Sequence, residues 1–514
     1  MRTTRYRIKS SIYAASALLL SSGFLSCNKF LDEAPSKTTS LVVKTTDQLN
    51  ALLNNYNSFY QEGNNTAVYS TDDNGLNTMI YDAKPGTFTM AAVEFSLWDT
   101  DYLAGDGQES FWSGEYKKIF NANMVLEYLD QVSGSAEDKA ALRADAYLIR
   151  AYSYWTLANT YCLPYTEANK DEPGLPLKTA TSFEGDQQRP PLEKVYQLIE
   201  ADLAEALKTT VPLVQGGTAR HWRASTAGVR GFAAKYYLSR NNYSEALAYA
   251  DEALGEYDEM VDYNTDMHYG IDGKVTINAG TSNQQTVTLK YPYTHDNQVD
   301  MTDMIQWKEF LYFRMLYHES WWYLPSQALL DLYDHDHDLR YQYHYVQNYS
   351  YDRGMINPAF SWPGYVFFYK DRLPSGPTVA EMLLIKAECQ ARQNNVDAAL
   401  TTVNKLRAKR MLPGAWVNLI ASGQADALKK ILEERRRELP FSQRWNDIRR
   451  FNNNDDPNDD VELSRTFYPY SNSNVLTTEM VKTYTLPKNS RRFAAPIPQT
   501  EITSSNGVIK QNTY

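Results

Sequence analysis

Cysteine is scarce: three residues in 514. So few thiols exclude a disulfide-stapled scaffold, and stability has to come from a buried core. Histidine is nearly as rare, at seven residues. No His-Glu-x-x-His, no Gly-x-Ser-x-Gly and no phosphate-binding glycine loop occurs, so the familiar hydrolase and nucleotide signatures are missing. Basic residues are outnumbered, 51 Lys and Arg against 62 Asp and Glu. An acidic chain repels phosphate backbones, which argues against nucleic acid as a partner. Nor is there an apolar run of the length needed to cross a bilayer.

The one short apolar run stands at the start. Arg2, Arg5, Arg7 and Lys9 precede Ile12 to Leu20, and Phe24-Leu25-Ser26-Cys27 follows. A basic region, a short apolar stretch and a small residue before cysteine make a bacterial secretory signal ending in a lipobox. Residues 1–26 are expected to be removed and Cys27 to receive lipid, palmitate among the acyl chains, mooring a soluble body through a linker over 27–44. Loss of residues 1–26 takes away four basic and no acidic side chains and shifts the net charge from −11 to −15. Cys162 and Cys389 remain, as two buried thiols or as a bridge.

Aromatic residues are abundant: 39 Tyr, 18 Phe and 10 Trp. Most belong in cores, but rigid rings with polar edges are also what a carbohydrate or peptide site uses.

Helical periodicity organises most of the chain. Leu49, Leu52, Leu53 and Tyr56 predict a helix over 45–60. From 61 to 107 the period fades into loop chemistry carrying Asp72, Asp73, Asn74, Tyr81, Trp98 and Tyr102. Two strong helices are predicted between Trp112 and Tyr161, ended by Pro164. Another follows over Val195–Ala206, with Asp202 on its apolar face. A buried carboxylate requires a partner, an arginine or a backbone donor. Leu238-Ser239-Arg240-Asn241-Asn242-Tyr243-Ser244 repeats as Ala391-Arg392-Gln393-Asn394-Asn395-Val396-Asp397, with Ala234 matching Ala387 and Ala246 matching Ala399. Each copy reads as helix, Asn-rich turn and second helix capped by Ser244 or Asp397, the tetratricopeptide pattern. Between the copies lies an irregular stretch with an alternating hairpin (274–277 and 286–289) and rings that include Tyr293, Trp321 and Trp322.

The ligand-binding candidates are Trp98, Tyr293, Trp321 and Trp322, with Asp73 and Tyr81 from the loop-like stretch. Calcium is the cofactor for which oxygen donors are at hand, at Asp72, Asp73 and Asn74 or over Asp455–Asp460, although neither run completes a calcium loop and solvated turns explain both. Asp334-His335-Asp336-His337-Asp338 lacks the spacing of a metal site and reads as a solvated helix end. Glu433 and Arg437, one turn apart, are expected to pair within a structural charge network that includes Arg444, Trp445, Asp447 and Arg450.

Taken together, several segments resemble the SusD-like (RagB/SusD) outer-membrane nutrient-binding lipoproteins of Bacteroidetes. They are Cys27 with Phe30-Leu31-Asp32-Glu33-Ala34-Pro35, Trp112-x3-Tyr116-x2-Ile119 leading to Asn121-Ala122-Asn123, and Arg150-Ala151-Tyr152. Further along stand Val195-Tyr196-x2-Ile199-x2-Asp202-Leu203, Glu434-Arg435-Arg436-x-Glu438-Leu439, Arg444-Trp445-x-Asp447 and Pro496-Ile497-Pro498. Cys162 and Ser442 depart from the family pattern. The resemblance implies a mostly α fold. Residues 45–514 would form one unit: a tetratricopeptide-like body of helical hairpins (about 112–255 and 378–451) and a loop-rich ligand lobe with minor β-hairpin structure (about 61–111 and 256–372). It implies no catalysis, glycan capture at the cell surface, and delivery to a SusC-type TonB-dependent transporter. Peptide capture, a surface glycosidase and a tetratricopeptide adaptor for envelope proteins are the alternative functions.

Overall fold

The computed structural model describes residues 43–99, 109–182, 185, 187–269, 273–289, 292–293, 304–318, 323–348, 355–356, 361–367, 372–415 and 417–514. The fold is mostly helical, with a few small sheets, most of them in a loop-rich lobe.

Helix α1 (Thr46–Asn54) opens with a reciprocal cap: the Thr45 side chain accepts from the Gln48 amide, and the Gln48 side chain accepts from that of Thr45. It ends before the expected 60, because Phe59 and Tyr60 turn away into two different cores. The stretch read as loop carries three short helices, α2 (Asn65–Tyr69), α3 (Thr78–Ala83) and α4 (Met90–Leu97). Asn64, Asn77 and Thr89 cap them through their side chains. Helices this short complete too few turns to show a 3.6-residue repeat.

The body begins with α5 (Glu109–Tyr128) and α6 (Ala136–Tyr161). Every residue of α6 from Leu148 to Tyr161 is buried, so it is the central post of the largest core. Helix α7 (Leu192–Ala206) lies against it, and α8 (Thr226–Ser239) with α9 (Tyr243–Glu256) forms the first repeat copy. Two lobe helices follow, α10 (Gln327–Leu330) and α11 (Leu339–His344). Then come α12 (Val379–Arg392) and α13 (Val396–Arg407), the second copy, and α14 (Gln424–Glu438), α15 (Arg444–Phe451) and α16 (Gln499–Ser504).

The repeat read from sequence is present in the backbone. Asn241 and Asn394 both adopt the left-handed conformation, with φ of 56° and 63°. In each copy the next asparagine's amide reaches back five residues: Asn242 to the Tyr237 carbonyl at 2.9 Å, Asn395 to that of Gln390 at 2.8 Å. Ala234, Ala246, Ala387 and Ala399 are fully buried where the helices cross. The expected caps are two residues off. The left-handed asparagine hands the chain straight to the next helix, so Asn242 and Asn395 stand at the cap and Ser244 and Asp397 fall inside the first turn.

The alternating segment forms an antiparallel hairpin, Gly273–Ile277 with Gln285–Leu289, turning through left-handed Asn278 and Gly280. Cys162 and Cys389 are both free and buried. The charge run on α14 is inward-facing. Glu434, rather than Glu433, pairs with Arg437 at 2.7 Å, accepts from Arg407 at 2.7 Å and forms an ion pair with Arg340 at 2.7 Å. Arg435 reaches Asp447 at 2.8 Å and Glu381 at 3.1 Å, and Arg450 reaches Glu388 at 2.6 Å.

Candidate functional site

The lobe is fastened to the body by buried charge. Strand Met315–Tyr317 is the centre of a three-stranded sheet, parallel to Gln61–Glu62 and antiparallel to Arg372–Pro374. Arg314, just before it, is wholly buried and donates to Glu62 at 2.9 Å and to Glu115 of α5 at 2.9 Å. Lys118 of α5 donates to the Gln61 carbonyl at 2.7 Å and pairs with Glu115.

A second fastening uses Asp72 and Asp73. Arg444 grips the Asp72 carboxylate at 2.7 and 2.8 Å, while Asp73 accepts from Arg436 at 2.7 Å and from the Phe441 amide at 2.8 Å. Burial alone would raise the Asp72 carboxyl, but Arg444 and Arg436 outweigh it and hold it low. Asn74 donates to the Tyr69 carbonyl and to Ser96. These oxygens therefore answer arginines and backbone, so the stretch is a buried charge cluster and not the solvated turn read from the sequence. Asp73 is 0% exposed, which also removes it from the ligand-contacting set.

Trp98 is corrected too. It ends α4 in the left-handed conformation and packs among Leu76, Val93, Trp445 and Phe467, 4% exposed. Its indole N–H donates to the Ser70 carbonyl at 2.8 Å. With ring and N–H both spent, Trp98 is a core residue locking α4 to the C-terminal part of the chain. Tyr81 is half-buried beside it, stacked on Phe88 at 5.8 Å and edge-on to Phe467 at 5.4 Å. Trp321, Trp322 and Cys27 lie outside the described residues, and Tyr293 is described as strand backbone.

That backbone leads to a ring patch. Strand Pro292–Tyr293 pairs antiparallel with His268–Tyr269, Tyr293 opposite His268. Tyr269 is 37% exposed and its ring lies 5.4 Å from that of half-buried Tyr343 on α11. Partial burial pushes both phenols up, so each keeps its proton, and Tyr269 donates its own to the Gln342 carbonyl at 3.4 Å. Beneath them the base is rigid. His344 accepts or donates to the Tyr263 hydroxyl at 2.8 Å and stacks on Phe367 at 4.4 Å. Burial, then Arg410 and Arg340, drives the His344 imidazole well below its ordinary value, so it is neutral. Arg410 in turn joins Glu309 and Glu438 at 2.8 Å. Side chains held by packing and hydrogen bonds present a preorganised surface.

Tyr269 and Tyr343 were missed in the sequence, although the alternation Tyr341, Tyr343, Tyr345 is visible there. His335, His337 and the neighbouring aspartates serve the entry to α11. His337 pairs with Asp334 at 2.8 Å, Asp338 caps the helix and grips Arg340, and His335 stacks on Tyr341 at 3.8 Å. Among the described residues no group of three His, Cys, Asp or Glu side chains is placed to hold a metal ion.

The architecture defines a class: a helical-repeat body carrying a loop-built lobe with half-exposed rings. Residues 29–238 match a family model described as SusD-like, starch-binding associating with outer membrane, and residues 379–514 match the model of the SusD family. The chain belongs to the SusD-like family. Solved structures agree in fold. A SusD-like carbohydrate binding protein from Bacteroides vulgatus ATCC 8482 is 17% identical, with a TM-score of 0.59 over 90% of this chain and 97% of that one. A SusD-like protein from Bacteroides fragilis NCTC 9343 is 16% identical, with a TM-score of 0.61 over 91% and 96%. A SusD superfamily protein from Bacteroides thetaiotaomicron VPI-5482 is 15% identical, with a TM-score of 0.59 over 91% and 100%. No curated protein matches the chain.

Proposed function

We propose that this protein captures a glycan at the cell surface without chemically altering it and delivers it to a SusC-type TonB-dependent transporter, moored to the outer membrane by lipid on Cys27. The observation that carries the reading is the Tyr269–Tyr343 pair, a ring surface half open to solvent on a buried, hydrogen-bonded base. Sugar C–H faces stack on such rings, and phenol edges exchange hydrogen bonds with sugar hydroxyls. Each hydrogen bond replaces one to water and contributes only about 1 kcal/mol, so affinity accumulates over several contacts along an oligosaccharide. The description of the family model as starch-binding and outer-membrane associated, and that of one solved relative as carbohydrate binding, agree with this reading.

Titration calorimetry of the mature chain against a panel of oligosaccharides and peptides tests it, with chromatography of the recovered sugar. The expected result is saturable binding of at least one oligosaccharide, recovered intact. Binding of peptides alone, or recovery of shortened sugar, would overturn the reading.

A further inference from the structure

Away from the lobe, the helical body carries a cavity of about 680 Å3 whose lining includes Tyr165, Arg240, Tyr243, Arg392, Asp455 and Asp456. Small-molecule sites span about 300–1,000 Å3. The two repeat copies build its floor: Arg240 and Arg392 close α8 and α12, just ahead of the left-handed asparagines. The Arg240 guanidinium lies 3.9 Å from the centre of the Tyr165 ring, and that of Arg392 lies 4.8 Å from the centre of Tyr243. Both cations are already answered. Arg392 meets Glu388 at 2.8 Å and Asp459 at 2.5 Å, and Arg240 meets Glu200 at 3.6 Å. The rings are thus fixed on rigid backs. The same lining also carries acceptors without donors. Asp455 is exposed and has no hydrogen bond or ion pair among the described residues, and the Tyr165 hydroxyl has none either.

We propose that this cavity binds a short uncharged saccharide, at a site separate from the tyrosine pair of the lobe. Carboxylate and phenol oxygens lacking donors are matched by sugar hydroxyls, and hydrogen bonds to an ionised carboxylate are the stronger kind. An anionic sugar would press its own charge against Asp455, Asp456 and Glu167 without finding an unpaired cation. An ammonium group would lie over two guanidiniums. A purely apolar ligand would strand the carboxylates without water. The ligand class agrees with the proposed function, but the position does not depend on it.

Hydrogen–deuterium exchange of the mature protein tests the site. The probes are maltotetraose, cellotetraose, xylotetraose, mannotetraose and tetragalacturonate. The proteins are wild type, Asp455→Arg, which fills the mouth from an exposed position, and the lobe variant Tyr269→Ala/Tyr343→Ala. At least one neutral tetrasaccharide is expected to slow exchange over residues 164–167 and 453–458. That protection should persist in the lobe variant and vanish in Asp455→Arg, whose Tm should equal that of wild type. The proposal is overturned if no neutral probe protects these segments, if tetragalacturonate protects them equally, if protection survives Asp455→Arg, or if the lobe variant abolishes it. Protection here with no binding at the lobe would sink the lobe reading and leave this one standing.

Discussion

Arg150 and Asp202 meet in a two-pronged pair, Nε to Oδ2 and Nη2 to Oδ1, each at 2.7 Å, across 52 residues of chain. The third guanidinium nitrogen donates to Asn123 at 2.8 Å, and Asn123 donates to the carbonyls of Lys178 and Ala180. One arginine therefore ties α5, α6 and α7 to the segment that covers them. Its partner is the carboxylate whose position on an apolar helix face demanded one.

Asp202→Ala should be severely destabilising, because it leaves a buried guanidinium unanswered. The expected loss is about 3–5 kcal/mol in urea unfolding. The double change Arg150→Met/Asp202→Leu should recover most of it, since a buried pair contributes little net stability over well-packed apolar residues. Equal instability of the single and double variants would contradict this account.

Stability should fall in acid in two stages. Burial holds the His221 imidazole down at about 4, from 6.5, outweighing its hydrogen bond to the Phe310 carbonyl. The unfolded chain takes up this proton first, so the contribution is complete above pH 6.5 and disappears as pH falls towards about 4. At about pH 5 the loss approaches roughly 2 kcal/mol, and His221→Gln should flatten the Tm profile in that window. Burial pushes the Glu388 carboxyl up, but Arg450 and Arg392 outweigh it and bring it to about 2 from 4.5. Its contribution is present above pH 4.5 and is lost between 4.5 and about 2.

Reductant should leave Tm unchanged, because Cys162 and Cys389 are separate free thiols. Burial pushes both thiols up, so neither offers much thiolate. A maleimide should label them only after unfolding. Rapid labelling of the native protein would show that one of them is accessible.

Gly75→Ala should loosen the lobe. Its amide donates to the Leu324 carbonyl at 2.9 Å, and an added Cβ would collide with the backbone carbonyl of Pro325. The same carbonyl accepts from the Trp362 indole at 3.1 Å. Overpacking against backbone costs about 1–3 kcal/mol. A lower Tm accompanied by weaker glycan binding is expected, and an unchanged Tm would show that the two segments can part.

Tyr269→Ala and Tyr343→Ala should each weaken glycan binding by about 0.5–1.5 kcal/mol, the scale of one ring contact. Tm should barely move, since both rings are partly exposed. Trp98→Ala should do the opposite: its ring lies in a core, so about 3–5 kcal/mol of stability would be lost. A Trp98 variant that kept its stability and lost binding would reverse the assignment made for this residue.

Patterns that recur along the chain determined the body. Helices of fourteen residues or more declare a 3.6-residue period, and the paired Asn-Asn turns with their buried alanines declared the repeat. The need of Asp202 for an arginine also followed locally, because a carboxylate on an apolar face has few alternatives. Tertiary structure alone decided the rest. Trp98 and Tyr269 look alike as aromatic residues in irregular segments, yet one has its indole N–H on the Ser70 carbonyl and the other faces solvent. Asp72 and Asp73 resembled calcium ligands until Arg436 and Arg444, more than 360 residues away, were brought against them. Burial and charge pairing depend on which distant segments meet, and the residues that carry them have no period of their own by which a single sequence could reveal the encounter.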